Sequence, residues 1–460
     1  MARKKEKTLE EKLQEALVPE NQWPYILPEN WCWTRLGKIT NVVGGGTPSS
    51  SKKEYYDNGT IPWLSPADLS GYSDIYISRG QKNITELGLS KSSARLMPKD
   101  TVLLSSRAPI GYVAIASNSI STNQGFKNFL PSDAFYSRFL YWYLKSSKSL
   151  LESYASGTTF LELSGSKASM VEFPLPPLPE QKRIVNRIES LFAKLDEAKE
   201  KIQQVLDGAE MRKAAILHKA FTGELTKNWR KENGISEDSW VEYTLQSVCT
   251  MKITDGTHKT PTYSDKENGV VFLSAKDITS GEINWENTKY ITSELHKELY
   301  SRLAPQINDI LLAKNGTTGV AALVKEDKVF DIYVTLALLR PNVEIVIPEY
   351  LLNIINSPLC KVQFNENLTG IGVPNLHLRD IKDVKIKVPS ISEQEIISDK
   401  VEMLLANEGM VTKNCLKQIE VIDTMKKSII AKAFRGELGT NNPTEDSALN
   451  LLKEVLQDKS

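Results

Sequence analysis

The sequence predicts a mixed α/β chain arranged as a tandem repeat: two α/β domains of about 150 residues, each followed by one long helix. Three observations carry this. Two segments match without a gap at an offset of 213 residues. Both matched segments have a sustained helical period. Short apolar and β-branched runs, bounded by Gly, Pro and Ser, precede each of them.

The duplication is clearest at its two ends. Pro176–Gln181 (PPLPEQ) matches Pro389–Gln394 (PSISEQ), and Lys219–Leu225 (KAFTGEL) matches Lys432–Leu438 (KAFRGEL). Over the 50 positions from Pro176 to Leu225 there are 15 identities, well above chance. In the first copy a 4-3 spacing runs Ile184, Ile188, Leu191, Leu195, Ala198, Ile202, Val205, Ala209, Arg212, Ile216, with only Arg212 polar. In the second it runs Ile397, Val401, Leu404, Glu408, Val411, Cys415, Gln418, Ile422, Met425, Ile429, with Glu408 and Gln418 polar. A 3.5-residue period is a coiled-coil signature. Each helix starts after a proline-bearing segment. Each ends at Phe-x-Gly-Glu-Leu, where Gly223 and Gly436 suit the position just past a helix C-cap. A helix of about 40 residues would be about 60 Å long. An ordinary amphipathic helix packed on its own domain is the alternative, and the length argues against it.

Taken in chain order, residues 1–19 are an N-terminal extension whose segment Thr8–Leu17 reads as a charged amphipathic helix. Residues 20–178 form the first α/β domain and 179–225 the first long helix. Residues 226–239 are polar and read as a linker. Residues 240–391 form the second domain, 392–438 the second long helix, and 439–460 a tail with a helix at Ser447–Leu456. The domains correspond piece by piece. Gly44–Pro48 (GGGTP) faces Asp255–Pro261 (DGTHKTP), and Ile61–Asp68 faces Val270–Asp277. Asp100–Gly111 faces Asp309–Gly319, and Gly157–Leu161 faces Gly370–Pro374. Thr101–Leu104 and Val270–Leu273 read as strands, Ser137–Tyr154 and Pro348–Asn365 as helical.

Composition narrows the function. Hydrophobic residues make up 40% and charged residues 25%, as in ordinary globular chains. No window approaches the roughly 18 apolar residues that span a bilayer, and the basic N-terminus has no apolar stretch behind it to make a signal peptide. Cys32, Cys249, Cys360 and Cys415 are far apart, which fits a reducing cytoplasm better than a disulfide or zinc framework. The 57 basic and 57 acidic residues cancel, so the chain is no generic polycation, although a local basic groove is compatible with that sum. There is no GxxxxGK[ST] phosphate loop, no GxGxxG after a strand, no Asn-Pro-Pro-aromatic methyltransferase motif and no GxSxG elbow. His218, His258, His296 and His377 have no metal-ligand spacing. Duplication without catalytic equipment favours a binding module over an enzyme.

With the PPLPEQ and KAF-x-GEL copies, Gly44–Pro48 and Ser121–Phe126 (STNQGF), the sequence from Leu27 to Leu438 resembles the DNA-specificity (S) subunit of Type I restriction–modification systems. The second unit departs from the pattern, with Tyr333–Ala337 (YVTLA) standing against Thr122–Phe126. The resemblance implies two target-recognition domains, each reading half of a split DNA site. It implies that the long helices form an antiparallel coiled coil that spaces them, giving a pseudo-twofold repeat. It also implies two methyltransferase (M) subunits that bind S-adenosylmethionine, and restriction (R) subunits that use ATP and Mg. The chain would bind no cofactor or metal of its own and would be non-catalytic. Phosphates are expected to be met by cations and by glycine-turn N–H groups, and base edges by Arg, Lys, Asn and Gln. In the first domain the candidates are Gly44, Gly45, Gly46, Thr47, Arg107, Asn123, Gln124, Thr158 and Thr159. In the second they are His258, Lys259, Lys314 and Asn315. The glycines have a second reading, as a tight turn alone. Two rivals remain: the specificity subunit of a Type II-like fused nuclease–methyltransferase, and a coiled-coil assembly adaptor that does not read DNA.

Overall fold

The computed structural model describes residues 7–157, 161–366, 368 and 375–458. They form two compact units, one of residues up to 201 with 418 onward, the other of residues 202–417. The division cuts both long helices, so each unit combines one α/β domain with parts of both. The family of boundaries expected from the repeat, at 178/179 and 391/392, is therefore not where compactness changes.

In unit 1 the strands are β1 (Cys32–Arg35), β2 (Val42–Gly44), β3 (Ile61–Leu64), β4 (Tyr76–Ile77), β5 (Lys82–Ile84), β6 (Val102–Ser106), β7 (Ile110–Ala116), β8 (Ser121–Thr122), β9 (Phe126–Phe129) and β10 (Glu172–Leu175). A five-stranded sheet has the order β2-β9-β6-β7-β4, and a three-stranded sheet the order β5-β3-β8. β1 and β10 pair as an antiparallel ribbon. β6 and β9 are buried at every position, which is why they read as continuous rather than alternating runs. In unit 2 the strands are β11 (Val241–Thr244), β12 (Thr254–Asp255), β13 (Tyr263–Ser264), β14 (Val270–Leu273), β15 (Lys289–Ile291), β16 (Ile310–Ala313), β17 (Ala321–Leu323), β18 (Phe330–Ile332), β19 (Leu336–Leu339) and β20 (Lys385–Val388). Their sheets run β12-β19-β16-β17 and β13-β15-β14-β18, and β11 pairs with β20.

The registers reveal the duplication directly. β3 pairs antiparallel with β5 and parallel with β8, and β14 pairs the same way with β15 and β18. Ser65 with Asp68 and Ser274 with Asp277 close identical capping boxes after those strands. The pairing of Tyr333–Ala337 with Thr122–Phe126 needs correction by one residue. The N–H of Asn123 donates to Leu64 O, and that of Tyr333 to Leu273 O, so Tyr333 stands where Asn123 does. The helical patterns are each two helices. Ser137–Ser146 is followed by Lys148–Tyr154, and Pro348–Ile355 by Pro358–Glu366, the second break lying just ahead of a proline. The N-terminal helix Leu9–Ala16 is capped by Thr8, and its Ala16 shares a cluster with Ala448 and Leu452 of the last helix, Ala448–Asp458.

Each long helix begins on a buried joint. In unit 1 the fully buried Glu180 accepts from the Trp31 indole at 2.8 Å and from Asn441 at 2.9 Å. The next residue, Gln181, accepts from the Tyr136 N–H and donates to Ala134 O and Pro176 O. Unit 2 repeats this. Glu393 accepts from Trp240 at 3.1 Å, and from Thr226 and Arg230 at 2.6 Å each. Gln394 accepts from the Ile347 N–H and donates to Ile345 O and Pro389 O. The stretch expected as a linker, 226–239, instead contains the helix Lys227–Glu232. Its Arg230 is 5% exposed, because its charge is spent on Glu393. Gly223 and Gly436 take left-handed φ of 82° and 74° just past the helix ends, as their sequence position predicts.

The central helix runs Leu178–Asp207 and, after Gly208, Ala209–Phe221, while the last long helix runs Ile391–Phe434 unbroken. Within unit 1 Ile184, Val185 and Ile188 share a cluster with Ala433 and Phe434, and Lys199 pairs with Asp423 at 3.0 Å. Within unit 2 Leu217, Ala220 and Phe221 share one with Ile397 and Val401. The two helices are thus paired antiparallel in each unit. The expected 3.5-residue stripe is not kept throughout, since Val411, Gln418 and Met425 are exposed. The inward positions run Ile397, Val401, Leu405, Glu408, Thr412, Cys415, Ile419, Ile422, Lys426, Ile430, Ala433. That spacing is near 3.6, the period of an undistorted helix.

The joints predict unequal costs. Glu393→Gln should destabilise unit 2 by about 3–5 kcal/mol, because it leaves the Arg230 guanidinium buried without a counter-charge. Glu180→Gln, facing neutral donors, should cost about 1–3 kcal/mol. Burial holds the Glu180 carboxyl above its ordinary 4.5, so its contribution to stability is full below that value and is lost as pH rises through the higher folded value. The cost of Glu180→Gln should therefore be largest in acid and shrink toward neutral pH. Urea midpoints across that range check both, and equal costs for the two variants would contradict the assignment.

Candidate nucleic-acid interface

The glycine turns sit at one sheet end because of strand register. Gly44 closes β2 opposite Lys127 at the start of β9, which lies opposite Leu104 near the end of β6. Past that point the chain leaves β6 through Arg107 and enters β9 through Asn123 and Gln124. Three segments far apart in sequence therefore meet, with Gly46 N–H donating to Thr122 O at 2.9 Å. A Cβ on Gly45 would lie 1.9 Å from Asn123 O, and one on Gly46 2.3 Å from Ala94 N. Gly44 is exposed, with nothing within 4 Å of a Cβ. Close packing thus accounts for Gly45 and Gly46, and leaves Gly44 facing solvent.

The polar groups at this end are partly engaged with one another. The Thr47 hydroxyl donates to Gln124, and Asn123 Oδ1 accepts from the Gly125 N–H at 2.8 Å. Arg107 stands 3.9 Å from Glu162, and its side chain is 36% exposed. Lys127 is 8% exposed, its ammonium donating to Ser106 Oγ at 3.2 Å and lying 3.8 Å from Glu162. Burial lowers its pKa, partly opposed by Glu162 and reinforced by Arg107. Thr158 and Thr159 lie outside the described residues.

Unit 2 builds the same end from different residues. Asp255 closes β12, and the N–H of Thr257 donates to Ile332 O as that of Gly46 does to Thr122 O. A Cβ on Gly256 would lie 2.0 Å from Ile332 O. The single-residue bridges Arg107–Glu162 and Asn315–Asn375 place Asn315 where unit 1 has Arg107, and hence Lys314 where it has Ser106. Lys314 is 6% exposed and ion-paired with Asp255, so it is an internal cation rather than an open one. The ammonium of Lys127, lent from the neighbouring strand, lies at Ser106, the matching place in unit 1. His258 is largely exposed, with Nε2 3.2 Å from Asp255, and Lys259 is exposed and bonded to Glu298 at 2.7 Å. Asn315 lines a cleft of about 490 Å³ with Phe272, Tyr333, Tyr263, Lys276 and Lys289. The Lys289 ammonium lies 4.3 Å from the Tyr263 ring centre.

The sequence did not single out Lys127, Glu162, Asp255, Lys276 or Lys289. Lys127 directly follows the quoted Ser121–Phe126 segment and Asp255 heads the glycine turn, so adjacency was the available signal. The arrangement offers donors, acceptors and cations at a sheet end. Burial pushes the thiols of Cys32, Cys249 and Cys360 up to about 12. Among the described residues no three His, Cys, Asp or Glu side chains are grouped to hold a metal ion. No helix among them is long and apolar enough to cross a membrane.

Comparison with known proteins gives one family. The family model described as the Type I restriction modification DNA specificity domain matches residues 28–207 and 237–421. The Type I restriction enzyme MjaIX specificity subunit of Methanocaldococcus jannaschii is 31% identical over 438 residues, covering 90% of this chain and 94% of that relative. The EcoKI specificity subunit of Escherichia coli is 24% identical, covering 94% and 96%. The fold is also that of an HsdS subunit from Thermoanaerobacter tengcongensis, with a TM-score of 0.61, 18% identity and coverage of 91% of this chain and all of that one. A chain from work on complex assembly and conformational transition of the type I R-M system gives 0.65, 19%, 90% and 100%.

The glycine geometry makes a test that is independent of DNA. Gly45→Ala should lower stability by about 1–3 kcal/mol through overpacking. Gly44→Ala should change it by no more than about 0.5 kcal/mol. Thermal unfolding of the two variants checks this, and the turn is misread if Gly45→Ala is silent.

Proposed function

This chain belongs to the Type I restriction–modification DNA specificity family, and we propose that it reads two unlike half-sites of one duplex, one with each sheet end. The observation that carries this is the duplicated yet divergent surface. The same three segments converge in both units, but Gly44, Ser106, Arg107 and Asn123 in one stand where Asp255, Lys314, Asn315 and Tyr333 stand in the other. A common scaffold with different side chains is what two different half-sites require.

Within unit 1, Gly44, Thr47, Arg107 and Gln124 are the groups with open access, Arg107 best placed to meet guanine or phosphate. Within unit 2, His258, Lys259 and Asn315 take that part. Lys314 acts through Asp255, holding the glycine turn in place. The chain performs no chemistry itself. Methyltransferase subunits carrying S-adenosylmethionine bind it, and restriction subunits using ATP and Mg join through them, in the cytoplasm. The long helices between the reading ends set the gap between half-sites, so their length enters the recognised sequence. The adaptor reading is disfavoured because both sheet ends keep the same backbone hydrogen bonds while presenting different polar side chains. The neighbouring genes discriminate a Type II-like fused system.

Exchanging residues 20–175 for the equivalent segment of a relative should change one half of the methylated sequence and leave the other intact. Sequencing methylated adenines in cells carrying the hybrid checks this, and alteration of both halves would refute it. The free subunit should bind DNA weakly, because neither domain is strongly basic and much of the phosphate grip is supplied by partners. A mobility-shift titration tests that, and tight, salt-resistant, sequence-specific binding by the chain alone would contradict it.

A further inference from the structure

Away from the sheet ends, one of the matched places at which the two units differ reverses a charge. The Gln181 and Gln394 joints align the helix Ser137–Ser146 with Pro348–Ile355, because Tyr136 and Ile347 each give their N–H to the joint. Arg138 is thereby matched by Glu349. The repeat matches Glu189 with Glu402. In unit 1 Arg138 bonds Glu189 at 2.8 Å and lies 5.8 Å from the Tyr76 ring centre. The Trp142 indole donates to the same carboxylate at 3.1 Å. Glu189 is thus covered by its own chain.

Unit 2 lacks that cation. Glu349 and Glu402 line a cleft of about 950 Å³ together with Glu282, Glu326, Glu395 and Asp399. Lys325 is the single basic side chain among its lining residues. Glu326 is engaged by Lys328 at 2.6 Å. Glu349, Glu395, Asp399 and Glu402 are exposed and make no ion pair among the described residues. Ser398, 7% exposed, lines the same cleft, and its hydroxyl has no hydrogen-bond partner there. A buried donor left open points to a missing occupant.

The chemistry of the occupant follows from sign and spacing. Nucleic acid is repelled. The carboxylates lie on two helices and two loops, and among the described residues no three are grouped to chelate one metal ion. The fitting cation is therefore extended, with guanidinium or ammonium groups on a polypeptide. We infer that this cleft receives an arginine- or lysine-bearing segment of a methyltransferase subunit, supplying from outside the charge that Arg138 supplies from within unit 1. The inference rests on the reading that such subunits bind this chain. It adds that the two are held unequally, with the one at unit 2 dependent on charge and salt.

The test mixes the full-length chain with its methyltransferase subunit and counts bound copies by native mass spectrometry over a salt series. The wild type should take two. Glu349→Arg, which fills the cleft in cis, should keep one copy and weaken the second at least tenfold. The milder double variant Glu349→Gln/Glu402→Gln should weaken the same copy less and remove much of its salt dependence. Glu454→Arg, on the exposed face of the last helix, should still take two. Two copies on Glu349→Arg with unchanged affinity overturn the inference, and so does loss of both together. A wild type that binds none overturns the functional reading itself, and the inference with it.

Discussion

The structure depends on a carboxylate and a carboxamide buried side by side at the start of each long helix. Glu180–Gln181 and Glu393–Gln394 lie where three pieces of chain meet: a tryptophan from the N-terminal ribbon of the domain, the loop before its main helix, and the segment that follows the other long helix. Burying such groups is costly unless every partner is present. The joint therefore forms only when domain, helix start and returning segment are all in place. That explains why each compact unit draws on both repeats rather than one.

The same requirement explains what could be read from sequence. A joint with that many obligatory partners tolerates little change, so PPLPEQ with KAF-x-GEL and its copy stood out at once. The strands β3 and β14 with their capping boxes were legible for a similar reason: their polar residues close on one another. The sheet ends were not legible in this way. They hold the same backbone hydrogen bonds with different side chains, so pairing by residue type slipped by one at Tyr333. Lys314 looked like an open cation because it follows a strand, yet the carboxylate that buries it is Asp255, far away in sequence. The polar stretch 226–239 looked like a linker for the same reason, since nothing local announces that Arg230 belongs to Glu393.

The polar exceptions in the helix stripes turn out to be partners. Arg212 and Glu408 interrupt otherwise apolar rows, and in unit 2 Arg212 bonds both oxygens of Glu408 at 3.0 Å. Arg212 also donates at 2.9 Å to the carbonyl of Val205, three residues before Gly208 interrupts the helix. One guanidinium thus covers a carbonyl that the break leaves open and ties it to the facing helix. The interruption at Gly208 is thereby bridged by a side chain that also holds the facing helix.

Divergence within a duplicated chain can then be sorted by what the joint permits. Changes at the sheet ends alter hydrogen-bonding groups while the joint stays fixed, which is the pattern of altered reading. The change from Arg138 to Glu349 is of another kind. It reverses a charge on the flank of the joint itself, opposite a carboxylate retained as Glu189 and Glu402. Like charges left facing one another weaken a folded unit unless something else answers them. In the reading proposed for that cleft, a partner's cation takes the place that Arg138 fills in unit 1.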